Sequence, residues 1–101
     1  MALMNLTVIP LGTGTTSVGS HVAAIQRALE LSGFTYRLTD MGTIVEGSSK
    51  DLLQLAAELA ELPFSSGVRR VVTQISLDDR RDKTVALGDK EAAVQALLKQ
   101  E

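Results

Sequence analysis

The feature that most constrains the fold is a change of period. Apolar residues recur at every second position in some stretches and at every third or fourth in others, and the two regimes alternate along the chain. Strict alternation marks a half-buried strand, because successive side chains leave a pleated backbone on opposite sides; spacings of three and four mark an amphipathic helix. The segment FTYRLTD alternates, with Phe34, Tyr36 and Leu38 on one face and Thr35, Arg37 and Thr39 on the other. The run VRRVVTQISL does the same, setting Val71, Thr73, Ile75 and Leu77 against Arg70, Val72, Gln74 and Ser76.

The helical stretches fall around these strands. Val18, Val22, Ile25 and Leu29 form a stripe that predicts a helix capped by Ser17, running to Leu31 and stopped by Gly33. Leu52, Leu55, Leu59 and Leu62 predict a second helix, capped by Ser48 or Ser49 and ended by Pro63. Leu3 to Leu11 reads as a strand closed by Pro10 and the flexible GTGTTS segment. Met41 and Gly42 make a tight connection into Thr43–Gly47, which predicts an antiparallel hairpin. The charged DDRRDK segment reads as a loop. Asp89 is expected to cap a final helix through Gln100, with Val94 and Leu97 turned inward.

The order is therefore βαββαβ with an additional C-terminal helix. Two βαβ-type halves joined by a central hairpin give an α+β, ferredoxin-like fold, a four-stranded antiparallel sheet with two helices on one face. A length of 101 residues fits one domain, expected to span 1–101. The other sheet face would show Thr, Arg, Gln and Ser interleaved with Val72 and, depending on register, Ile9 or Val45. Such a face is too apolar for solvent alone, so cover by another subunit is expected.

Composition narrows the function. With 45% hydrophobic but only 3% aromatic residues, the core must be built from Leu, Val, Ile and Ala. A net charge of −2 and a pI of about 5.3 give no attraction for nucleic acid or anionic membranes, so neither partner is expected. RNA recognition on this topology would also need sheet aromatics that the chain lacks, despite Arg69–Arg70 and Arg80–Arg81. The absence of cysteine removes disulfides, thiolate metal sites and cysteine nucleophiles, and suits a reducing compartment, so a cytoplasmic protein is expected. The N-terminal MALMNLTVIPL lacks a basic leader and a cleavage site and is broken by Asn5, Thr7 and Pro10, which makes it a strand rather than a signal peptide.

No acid–base team is visible. His21 is the only histidine and has no serine–acid pattern beside it, so no catalytic residue, metal ligand or cofactor is assigned. GTGTTS, between a strand and a helix, can act as a turn with capping hydroxyls or can aim N–H groups at an anion, but it lacks the lysine and third glycine of nucleotide motifs. Glu46 is either an exposed strand end or an acceptor for a ligand's amine. The Asp78–Asp82 segment can form ion pairs or meet a partner subunit; alternating oxygen ligands with a glycine, as cation loops use, are missing.

The stretch LTVIPLGTGTTSVGSHVAA, Tyr36, MGTIVEG and the DDRRD segment together resemble the small thiamine-binding protein family over nearly the whole chain. The most specific parts are the IPLGT strand exit, the GT-x-x-EG hairpin strand and the Asp–Asp–Arg–Arg run. The resemblance implies a ferredoxin-like, non-catalytic protein that binds thiamine or its hydroxymethylpyrimidine portion and assembles as dimers paired into a homotetramer. Carried onto this sequence, Thr43 and Glu46 would supply polar partners with Thr13, Thr16 and Ser17 nearby, and Ile9, Pro10 and Met41 the apolar walls. Gly14 and His21 depart from the family pattern, standing where a bulkier residue and a tyrosine are common. The alternative is a regulatory module for another metabolite, such as an amino acid, since one fold serves many functions.

Overall fold

The computed structural model describes residues 1–100. The elements follow as β1 (Ala2–Leu11), α1 (Gly19–Ser32), β2 (Thr35–Thr39), β3 (Gly42–Gly47), α2 (Ser49–Ser65), β4 (Arg70–Asp79) and α3 (Asp89–Leu98). The sheet is antiparallel in the order β2-β3-β1-β4, the predicted ferredoxin-like arrangement. No helix among the described residues is long and apolar enough to cross a membrane.

Strand periodicity sets the core. Ala2, Met4 and Leu6 of β1 and Val45 of β3 point to one side, where they meet Ile25 and Leu29 of α1 and Leu52, Leu55, Ala56 and Leu59 of α2. All are buried, and Met4, Leu29, Val45 and Leu52 are wholly so. The second glycine of GTIVEG is set by this packing. A Cβ on Gly47 would lie 3.1 Å from Phe34 and 3.2 Å from Leu52, so only hydrogen lets α2 and Phe34 close over the end of β3.

Register decides the other sheet face. Val45 is in the core, so the apolar residues there are Leu3, Ile9 and Ile44, each half-buried, with Val72 more exposed. On β4 the alternation holds, since Leu77 and Ile75 sit opposite Met4 and Leu6. Both are nevertheless 37% and 43% exposed, because β4 is an edge strand with β1 as its only neighbour in the sheet.

Several boundaries differ from the sequence reading. α1 starts at Gly19 behind Val18, and Ser17 makes no cap: its N–H donates instead to the Thr15 hydroxyl at 3.2 Å, within the loop. Ser48 caps α2 as expected, accepting from the Asp51 N–H. Pro63 does not end α2 but lies within its last turn, where one lost bond matters little and the ring is buried; Ser66 and Val68 then donate to its carbonyl. Asp78 and Asp79 belong to β4 rather than to a loop, because β1 extends to Ala2 and pairs with them.

The largest difference is α3. Its N-cap is Gly88, and the Asp89 carboxylate accepts from the Ala86 N–H at 2.8 Å. It joins the opposite sheet face, where it shares a groove with Leu3, Ile44 and Arg37. No residue of it is buried, and Val94 and Leu97 are 47% and 62% exposed rather than inward. The helix layer on the core side is already complete with α1 and α2, so a third helix finds its contacts across the sheet.

Candidate functional site

The two central strands do not end together. β1 pairs with β4 from Ala2 as far as Leu11 opposite Arg70, but pairs with β3 only as far as Leu6 opposite Thr43. Beyond Leu6 the place of β3 is taken by the hairpin turn at Asp40 and Met41. The result is a notch between the upper half of β1, that turn and the start of α1.

The notch is a cavity of about 520 Å³ lined by Val8, Ile9, Val22, Gln26, Met41 and Thr43 among others, within the roughly 300–1,000 Å³ usual for small-molecule sites. Its walls are mostly aliphatic. Thr43 is the buried polar residue of the core, 5% exposed, and its hydroxyl accepts from the Gln26 side-chain amide at 3.1 Å. That bond gives Thr43 its partner and holds the Gln26 side chain in the cavity wall. Met41 is 84% exposed at the rim, a flexible and polarisable side chain able to fold over whatever enters. The Asp40 carboxylate stands beside it.

The turn is held close to β1. The Thr7 hydroxyl donates to the Met41 carbonyl at 3.3 Å, and a Cβ on Gly42 would lie 2.5 Å from Asn5 Oδ1, 3.1 Å from Thr7 Oγ1 and 3.2 Å from the Leu6 carbonyl. Thus the first glycine of GTIVEG permits the close approach that forms the cavity floor.

The residues nominated from sequence divide. Ile9, Met41 and Thr43 line the cavity, and Pro10, the next residue after Ile9 on the same strand, is buried outside the lining. Thr13, Thr16 and Ser17 sit in the loop ahead of α1 and do not line it. That loop bonds to itself, with the Thr13 hydroxyl donating to the Thr15 carbonyl at 3.0 Å. Glu46 lies on the other face of the sheet. Three positions from Thr43 on one strand, it must point the opposite way, and its carboxylate accepts from the Leu87 N–H at 3.3 Å. Gln26 and Val22 escaped the sequence reading. A signal existed, since Gln26 stands four residues after Val22, a polar residue at the spacing of an inward stripe.

A second hollow, of about 570 Å³, lies between the open sheet face and α3, and Leu87, whose N–H meets Glu46, lines it. Its floor is Leu3 and Ile44, and an Arg37–Glu91 ion pair of 3.2 Å bridges β2 to α3. One wall of this groove is α3, a helix without a buried residue.

Four of the five DDRRD charges, all but Asp78, pair with one another. Arg80 grips Asp82 through two bonds of 2.6 and 2.9 Å, and Arg81 pairs with Asp79 at 2.8 Å. The Ser49 hydroxyl also donates to Asp79, tying the end of β4 to the start of α2. The Arg81 guanidinium first, and the Ser49 hydroxyl second, hold the Asp79 carboxyl down at about 2.

A family model described as "Thiamine-binding protein" matches residues 4–95. The chain belongs to this family. It is 41% identical over 102 residues to the UPF0045 protein YqgV of Bacillus subtilis, covering 97% of this chain and 98% of the relative. A hypothetical protein of Methanocaldococcus jannaschii superposes with a TM-score of 0.82 at 26% identity, covering 93% of this chain and 95% of that one. A Thermotoga maritima structure, described provisionally as a thiamine biosynthesis/salvage protein, shares the fold with a TM-score of 0.76 at 17% identity, covering 92% and 97%. Membership in this family supports a small-molecule-binding role.

Proposed function

We propose that this protein binds thiamine or its hydroxymethylpyrimidine portion without transforming it, in the cavity between β1, α1 and the β2–β3 turn. The observation that supports this site is the meeting of Ile9, Met41 and Thr43 in one cavity of ligand size. Aliphatic walls suit the flat faces of the pyrimidine and thiazolium rings, the Gln26–Thr43 pair offers neutral polar contacts, and Asp40 at the rim complements the thiazolium charge. Asp40 is the one ionisable side chain of the lining, and on this reading it meets the ligand's charge.

Isothermal calorimetry with thiamine and with the free pyrimidine alcohol tests the reading. Saturable heat with one site per chain is expected, and no heat with either compound at millimolar concentration overturns it. A thermal-shift panel including amino acids separates this ligand class from another metabolite, because only a bound compound raises the midpoint. On this reading Glu46 tethers the segment before α3, so Glu46→Ala leaves affinity within about twofold; a loss of about tenfold would move the site to the groove under α3.

The proposal includes a cytoplasmic homotetramer built from dimers. The half-buried Leu3, Ile9 and Ile44 on the open face, with Val72, Ile75 and Leu77 along the β4 edge, support contacts between copies. Light scattering after size exclusion reads the subunit count; a monomer at micromolar concentration would refute this part.

A further inference from the structure

We infer that the free backbone edge of Val8 reads the ligand, so that the cavity selects planar heterocycles carrying an N–H donor directly beside a ring-nitrogen acceptor. This rests on the binding site proposed above and adds how that site recognises its guest.

Register leaves this edge without a partner. In an antiparallel ladder each residue turns its N–H and C=O toward the same neighbour, and successive residues alternate between neighbours. The Leu6 carbonyl faces β3, beside Gly42 and opposite Thr43. Two residues on, Val8 turns its own N–H and C=O the same way, but the ladder to β3 has ended. The turn that replaces β3 does not pair with it: the Met41 N–H donates to the Thr39 hydroxyl at 3.2 Å, and the Met41 carbonyl accepts from the Thr7 hydroxyl. Thr7 and Ile9 face β4 and remain in its ladder. The next residue on the vacated edge is Pro10, which has no N–H to lose, and that is where a proline is tolerated in a sheet.

Val8 is half-buried and lines the cavity. An unpaired N–H and C=O in such a place are uncommon in a folded chain and call for a partner. They form a donor and an acceptor side by side in the plane of the sheet. The complementary edge is an amine next to a ring nitrogen: the amine donates to the Val8 carbonyl and the ring nitrogen accepts from the Val8 N–H. An aminopyrimidine has this edge. Val22 and Met41 can then cover the ring's faces.

Amide exchange followed by NMR on the full chain, with calorimetry alongside, tests the inference. In the free protein the Val8 amide should exchange much faster than those of Thr7 and Ile9; equal protection of all three would show the edge already paired and overturn the proposal. Saturation with 4-amino-5-hydroxymethyl-2-methylpyrimidine should slow Val8 exchange at least about tenfold, and the analogues lacking the 4-amino group or replacing the adjacent ring nitrogen by CH should bind about tenfold more weakly. Tight binding of all three compounds, with Val8 unprotected, would refute the backbone reading while leaving the binding site standing. No heat with any of them would remove both. Val8→Pro removes this N–H along with the valine side chain, so Val8→Ala, which keeps the N–H, is its control, and the proline variant should bind about tenfold more weakly than the alanine one; if the proline variant does not fold, the analogue series decides.

Discussion

Replacing Gly42 by alanine probes the approach of the β2–β3 turn to β1 on which the cavity depends. The added methyl would meet Asn5 Oδ1 at 2.5 Å, Thr7 Oγ1 at 3.1 Å and the Leu6 carbonyl at 3.2 Å. The Asn5 amide is exposed and can swing away. The Leu6 carbonyl cannot, because Leu6 is the last β1 residue paired with β3. The strands must therefore part by a few tenths of an ångström, an overpacking strain of about 1–3 kcal/mol. For a domain of this size each kcal/mol lowers the melting midpoint by about 4–8 °C. Urea unfolding followed by circular dichroism measures the loss, with Gly19→Ala as control, since nothing lies within 4 Å of a Cβ there. That control should be neutral or stabilising by up to about 1 kcal/mol. Adding Asn5→Ala to Gly42→Ala should recover less than about 0.5 kcal/mol, because the Asn5 side chain already swings clear and the strain lies at the Leu6 carbonyl. A Gly42→Ala protein within about 0.5 kcal/mol of the parent, or full recovery in the double variant, would refute strain at the Leu6 carbonyl.

Further outcomes follow from the same contacts. Leu52→Ala empties a fully buried position between α2 and the sheet and should cost about 2–5 kcal/mol in urea unfolding. Asp79 is held near 2 against an ordinary 3.8, so it stabilises the folded state fully above pH 4 and progressively less as pH falls toward 2. Asp79→Asn should be the less stable protein at pH 6, should lose less over that acidic window, and should match the parent near pH 2. Arg37→Ala breaks an ion pair whose partners are 52% and 68% exposed, and thermal unfolding should register no more than about 1 kcal/mol.

Much of the architecture was legible because strand and helix periods are local. The alternation of Phe34–Thr39 and the stripe Leu52–Leu59 each declare their element and their buried face without reference to the rest of the chain. Even the separation of Thr43 from Glu46 was implicit, since an odd spacing on a strand puts two residues on opposite faces. α3 was misread for the converse reason. Its apolar residues suggest an inward stripe, but which face is vacant depends on elements packed elsewhere. The Ser17 cap failed similarly, the residue being drawn into a loop that bonds to itself.

The order of elements, the buried stripes of α1 and α2 and the family reside in patterns a few residues long and in motifs such as GTIVEG, and these are read without the fold. Tertiary structure alone decided the cavity. It exists because β3 leaves β1 at Leu6 while β4 continues to Leu11, and that stagger is a balance among strand pairings between residues distant in the chain. No local pattern encodes where one strand stops beside another. Pro10 marks the place in the sequence, but only the paired sheet shows which of its two edges was left open.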